Sequence, residues 1–158
     1  MIKVSFDLDR ADWHGHPAES MWADPVPEIS RTAFRLQNSP FFVRGVSYLD
    51  IVDTTPTEGD GLFEFKRIIK RGGHSTYMIL IEKGEPRFES YWSALQAFGC
   101  SYEGEQIKLS IGHRQMYSVD VPPSADINGV VTILEHGEID GTRMYQEGYR
   151  HSTYRHIT

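Results

Sequence analysis

The spacing of the apolar residues changes once along the chain, near residue 85, and this change limits the fold more than any other feature. Before it, apolar and polar residues alternate in short runs such as Val4-Ser-Phe-Asp-Leu8 and Glu19-Ser-Met-Trp-Ala23. A period of two marks strands with one buried face. After it, Phe88, Tyr91, Trp92, Leu95 and Phe98 recur every three or four positions, which lines one side of a helix, and Gly99 supplies a stop. A chain with strands first and helices later belongs to the α+β class.

Residues 1–85 read as a mostly β half and residues 86–158 as an α+β half of a single domain. Further short strands are expected at Thr32–Leu36 and Asp50–Thr54, with turns at Asp12–Pro17 and Thr55–Gly61. Pro40 keeps Asn38–Gly45 out of a helix, leaving an aromatic-anchored loop. Short strands at this spacing predict a small barrel or a strongly bent sheet. From Ser75 onward the expected order is strand, helix, strand pair, helix, strand, with both helices on one face of a sheet. The strand pair is Ile107–Ile111 and Gln115–Val121. The second helix carries Ile127, Val130, Val131 and Leu134 as its stripe and ends at His136-Gly137; Thr142–Tyr149 forms the last strand.

The segment Arg67-Ile-Ile-Lys-Arg-Gly-Gly-His-Ser-Thr-Tyr77 holds the densest polar cluster between two apolar runs. A two-residue turn at Gly72-Gly73 would make it a hairpin. Arg71 would then face His74 and Arg67 would face Met78, so that Arg67, Arg71 and His74 share one face. The candidate binding residues are therefore Arg67, Arg71, His74 and Ser75, with Asp50 as their nearest expected acid. Arg suits carboxylate or phosphate recognition, but charges along a strand also serve simply to protect an edge. His74 and Ser75 point to opposite faces of a strand, so they do not form a nucleophile–base pair; Asp50 or Asp53 would have to orient the imidazole.

Other features narrow the function by exclusion. The net charge of −6 disfavours nucleic acid as the main partner and suits a basic protein. No apolar run approaches the ~18 residues needed to cross a bilayer. Cys100 is the only cysteine, which together with the absence of a signal-peptide pattern points to the cytosol, and its position after a helix C-terminus predicts burial rather than reactivity. His14 and His16 near Asp12 lack the spacing of a zinc site, and His151 and His156 lie in the tail, so no metal is expected. No cofactor fingerprint is present either. Trp13, Trp22, Phe41 and Phe42 are expected as core anchors.

Several segments, in order, resemble an uncharacterised bacterial family, domain of unknown function 4265. They are Glu19-Ser-Met-Trp-Ala23, Leu36-Gln-Asn-Ser-Pro-Phe-Phe42, Gly45-Val-Ser-Tyr-Leu-Asp-Ile-Val52, Gly73-His-Ser-Thr76, Gly99-Cys100 and Val119-Asp-Val-Pro122. Gly72 departs from the small polar residue expected there, and the tail after Tyr149 is particular to this chain. The resemblance implies a bacterial source and a shared fold, and transfers no activity or site residue.

The function expected from these residues is binding of a protein partner, in its most specific form neutralisation of a toxin as an immunity protein. The alternative is a small ligand-binding domain or enzyme whose site lies at Arg67, Arg71 and His74.

Overall fold

The computed structural model describes residues 1–82, 84–109, 112–139, 141 and 143–151. Three of the positions invoked above, Ile111, Thr142 and His156, lie outside the described residues.

Five strands close the expected barrel. They are β1 (Ile2–Asp7), β2 (Ala18–Pro25), β3 (Ala33–Leu36), β4 (Ile51–Pro56) and β5 (Leu62–Lys70). Neighbours run antiparallel except at the closure, where β1 pairs in parallel with β5 through Lys3↔Leu62 and Val4↔Phe63. Alternation sends Val4, Phe6, Met21, Ala23, Phe34, Leu36 and Val52 inward, all buried. Apart from Ala23, whose methyl adds less, each such side chain contributes about 1.5–3 kcal/mol on burial.

The same alternation corrects the expectation for two tryptophans. Trp22 lies between the buried Met21 and Ala23, so it points outward and is 48% exposed, with Lys3 Nζ 4.7 Å above its ring. Trp13 is 40% exposed, and its Nε1 donates to Gln146 Oε1 at 3.1 Å. Neither anchors the core. Phe41 and Phe42 are half-buried and pack on Met78, Ile107 and Met116. Their loop is fixed by one carboxylate: Glu19 accepts the backbone N–H groups of Phe41, Phe42 and Val43 at 2.6–3.0 Å.

The second unit is an antiparallel sheet of β6 (Ser75–Glu82), β7 (Ser101–Leu109), β8 (Gly112–Val121) and β9 (Arg143–Tyr149), in spatial order β7-β8-β6-β9. Helices α1 (Phe88–Ala97) and α2 (Ile127–Ile139) cover one face. Trp92, Leu95 and Phe98 turn toward the sheet while Glu89, Ser90 and Gln96 stay exposed. α2 runs past His136-Gly137 to Ile139, with Gly137 buried. One glycine costs only about 1 kcal/mol in a helix, less than the packing gained by continuing. Gly129 in α2 is also used: a Cβ there would meet the Phe98 ring at 2.6 Å, so its absence lets α1 and α2 approach.

The hairpin at Gly72-Gly73 does not form. β5 pairs with β4 and β1 in the barrel, whereas β6 lies between β8 and β9 in the other sheet. The reason is the composition of β6. Tyr77, Ile79 and Ile81 pack against Leu95, Val130 and Leu134 under the helices. Met78 and Leu80, on the opposite face, pack with Met116 toward the barrel loops. A strand apolar on both faces needs cover on both and takes a central place. A charged partner such as β5 could not provide it. Gly72 and Gly73 form the link between the two units, and Gly72 is required by close approach: a Cβ would sit 2.6 Å from the carbonyl oxygen of Leu49. Leu49 itself is held at φ 67°, a region that strains a branched side chain.

Candidate functional site

Because β5 and β6 join different sheets, the expected cluster is divided into separate pairs. Arg67 is largely exposed on β5 and lies 3.6 Å from Asp53, its cross-strand neighbour on β4. Thr32 Oγ1 also donates to Asp53 at 2.7 Å; that hydrogen bond and the nearby Arg67 hold its carboxyl below the usual range.

Arg71 follows β5 and is used structurally. Its Nη1 donates to Gly45 O at 2.6 Å and to Asp50 Oδ2 at 3.1 Å, and its guanidinium lies 3.8 Å over the Tyr149 ring. Asp50 has no exposure and also accepts the N–H groups of Ser47 and Gly72, each at 2.9 Å. Ser47 continues the network through a 2.6 Å hydroxyl contact with Thr76 of β6. Arg71 and Asp50 therefore fasten the barrel to the second sheet.

His74 takes neither Asp50 nor Asp53. Its Nδ1 lies 2.8 and 3.0 Å from the two carboxyl oxygens of Asp120 on β8, and the Tyr48 ring stands edge-on at 5.1 Å. Burial pushes the Asp120 carboxyl above its usual range, with His74 opposing the shift. Ser75 points to the helix side of the sheet, is buried, and accepts the N–H of His151 at 2.8 Å. Arg67, Arg71 and His74 thus do not converge on one anionic group; each already has its own carboxylate.

What the structure assembles instead is a polar cleft between the barrel loop 37–48 and the β7–β8 edge. It encloses about 270 Å³, and its lining includes Asn38, Ser39, Tyr48, Ser101, Glu103 and Asp120. The pairings Ser101↔Asp120 and Glu103↔Ser118 put these four residues on one face of the sheet, turned toward the barrel. Glu103 is exposed along its side chain and makes no ion pair among the described residues, yet partial burial raises its carboxyl pKa. Two carboxyls, the mostly buried Asp120 and the more exposed Glu103, beside several hydroxyl and amide oxygens form an acceptor-rich site suited to a cation or a multiple donor.

Nucleophilic chemistry is not assembled here. Ser118 Oγ donates to the Pro40 carbonyl and Thr76 is engaged by Ser47, so no hydroxyl lies within hydrogen-bond reach of His74 among the described residues. Those residues also contain no group of three or more His, Cys, Asp or Glu side chains arranged for a metal. His14 is instead a buried aromatic neighbour of His16 and Phe42, and its Nδ1 accepts the His16 N–H.

Sequence reasoning missed Tyr48, Glu103 and Asp120. Asp120 was legible as an anomaly, an acid between Val119 and Val121 in an expected strand. A buried acid needs a partner, and this one finds His74, 46 residues away.

Comparison with known proteins gives a family and a fold. The family model described as "Domain of unknown function (DUF4265)" matches residues 19–145. No curated protein matches the chain. The crystal structure of a hypothetical protein from Neisseria gonorrhoeae superposes with a TM-score of 0.72 at 19% identity, covering 97% of this chain and 98% of that one. At that identity the likeness establishes a shared architecture. Among the described residues, no helix is long and apolar enough to cross a membrane.

Proposed function

The chain belongs to the family described as domain of unknown function 4265, and from that premise we propose that it acts by binding a protein partner that inserts a cationic side chain into the cleft between barrel and sheet. The observation that carries this reading is the placement of Glu103 on β7 and Asp120 on β8, two residues apart in register, on one cleft wall, with desolvation pushing both carboxyls above their usual range. A guanidinium or ammonium entering there would replace lost water and offset the desolvation of the two acids. Size supports a side chain over a larger ligand: about 270 Å³ falls just below the ~300–1,000 Å³ typical of small-molecule pockets.

The net charge of −6 favours a basic partner. In its most specific form the partner is a toxin and this chain its immunity protein, acting in the cytosol, where a single buried thiol such as Cys100 is at home. The test is a pull-down from the native host with wild type, Glu103→Gln and the Glu103→Gln/Asp120→Asn double variant, read by mass spectrometry. A basic protein held by wild type and lost progressively with the two substitutions supports the reading. Equal retention by all three, with unchanged urea midpoints, refutes it.

One observation favours a second reading, a small-ligand or enzyme site. The Asp120 carboxylate fixes the His74 imidazole at 2.8 Å beside the cleft, an orientation that suits a general base. A small polar compound protecting His74 from diethyl pyrocarbonate, with no partner captured, would select it.

A further inference from the structure

A separate pocket of about 200 Å³ opens where α2 begins, on the helix side of the second sheet. Ser75, Pro123, Ile127, Asn128, Arg150 and His151 are among its walls, none of which lines the cleft described above. Its polar groups are mostly donors. Arg150 is exposed at the rim and oriented by Asn128, whose Oδ1 accepts from Nη2 at 2.7 Å. The Ser75 oxygen already accepts the His151 N–H, which leaves its hydroxyl proton to donate elsewhere.

The decisive feature is His151. Its Nδ1 is buried and has no hydrogen-bond partner among the described residues. Buried polar atoms in native proteins are nearly always satisfied, and each such deficit calls for an explanation. With a proton on Nδ1, His151 lacks an acceptor, and the Arg150 guanidinium at the same pocket favours an acceptor that is negatively charged. The first turn of α2 contributes partial positive charge on the same side. No carboxylate is among the pocket's described lining residues; Asp126, next in sequence to Ile127, accepts the Asn128 N–H at 3.1 Å.

We propose that this pocket binds a small oxyanion, a carboxylate or a phosphate, held by Arg150, the Ser75 hydroxyl and the His151 imidazole. Its volume of about 200 Å³ admits such a group. Ser75 thereby regains a binding role, on the face of β6 that it shares with Tyr77 and away from Arg71 and His74.

The experiment is a titration of the full chain followed by proton–nitrogen correlation spectra, with inorganic phosphate and acetate as probes and potassium chloride at matched ionic strength as control. Saturable shifts confined to Ser75, Ile127, Asn128 and His151 are expected with at least one probe. The responding probe distinguishes a phosphate-bearing from a carboxylate-bearing ligand. Arg150 is exposed, so Arg150→Ala should fold normally and weaken the anion about tenfold through loss of a charge-assisted hydrogen bond. Identical shifts with chloride, shifts that do not saturate, or an affinity unchanged by Arg150→Ala would overturn the proposal.

Discussion

Asp50→Ala should be among the most damaging single changes in this chain, and its cost can be worked out from the structure. The carboxylate has no solvent exposure and receives three donors: the N–H groups of Ser47 and Gly72 and the Arg71 guanidinium. Alanine leaves two interior N–H groups without an acceptor, at about 1–3 kcal/mol each. The ion pair adds less than a fully buried one, because the Arg71 side chain is 32% exposed and keeps the Gly45 carbonyl and the Tyr149 face. The expected total is about 3–5 kcal/mol. Asp50→Asn keeps one acceptor oxygen and should cost about 1–2 kcal/mol. Urea titration measures both as a fall in midpoint at constant slope. In a chain of this length the alanine variant should also melt about 10 °C lower. If Asp50→Ala lost less than about 1 kcal/mol and the asparagine variant matched it, the carboxylate would not be what fastens the barrel to the second sheet.

Two further outcomes follow from buried titratable groups. Burial pushes the Cys100 thiol from an ordinary 9.0 up to about 12, which cuts its thiolate fraction at pH 8 about a thousandfold; native protein should resist Ellman's reagent and react fully in urea, and prompt reaction in buffer would contradict the burial. Burial likewise lowers the His14 pKa below 6.5, with Asp12, His16, Glu19 and Arg44 around it. The unfolded chain therefore takes up that proton first, so the stability His14 contributes is present above pH 6.5 and lost as pH falls through the depressed folded value. His14→Phe should flatten the dependence of unfolding free energy on pH below 6.5, and an unchanged slope would refute it.

Local signals were sufficient wherever a structure depends on neighbours in sequence. Alternation in Val4–Leu8 and Glu19–Ala23 marked strands, and the Phe88–Phe98 spacing marked a helix that Gly99 ends at φ 92°. The barrel followed from short strands at regular intervals, and the two-helix face followed from the change of period. The exposure of Trp22 was also contained in the alternation, since its neighbours Met21 and Ala23 point the other way. Treating a tryptophan as an anchor because of its size overrode the better signal.

Strand partnership was a different matter. A strand's period shows that one face is buried and is silent about which strand lies beside it, so β5 and β6 looked like a hairpin when only adjacency was considered. Tertiary packing separated them, because β6 needs apolar cover on both faces and only a central place beside β8 and β9 provides it. The separation then redistributed the charges: Arg67 to Asp53, Arg71 to Asp50 and His74 to Asp120. Composition had fixed that acids and bases would be present. Which acid meets which base, and hence where an acceptor-rich cleft and a donor-rich pocket arise, depends on contacts between residues far apart in the chain, which only the folded structure brings together.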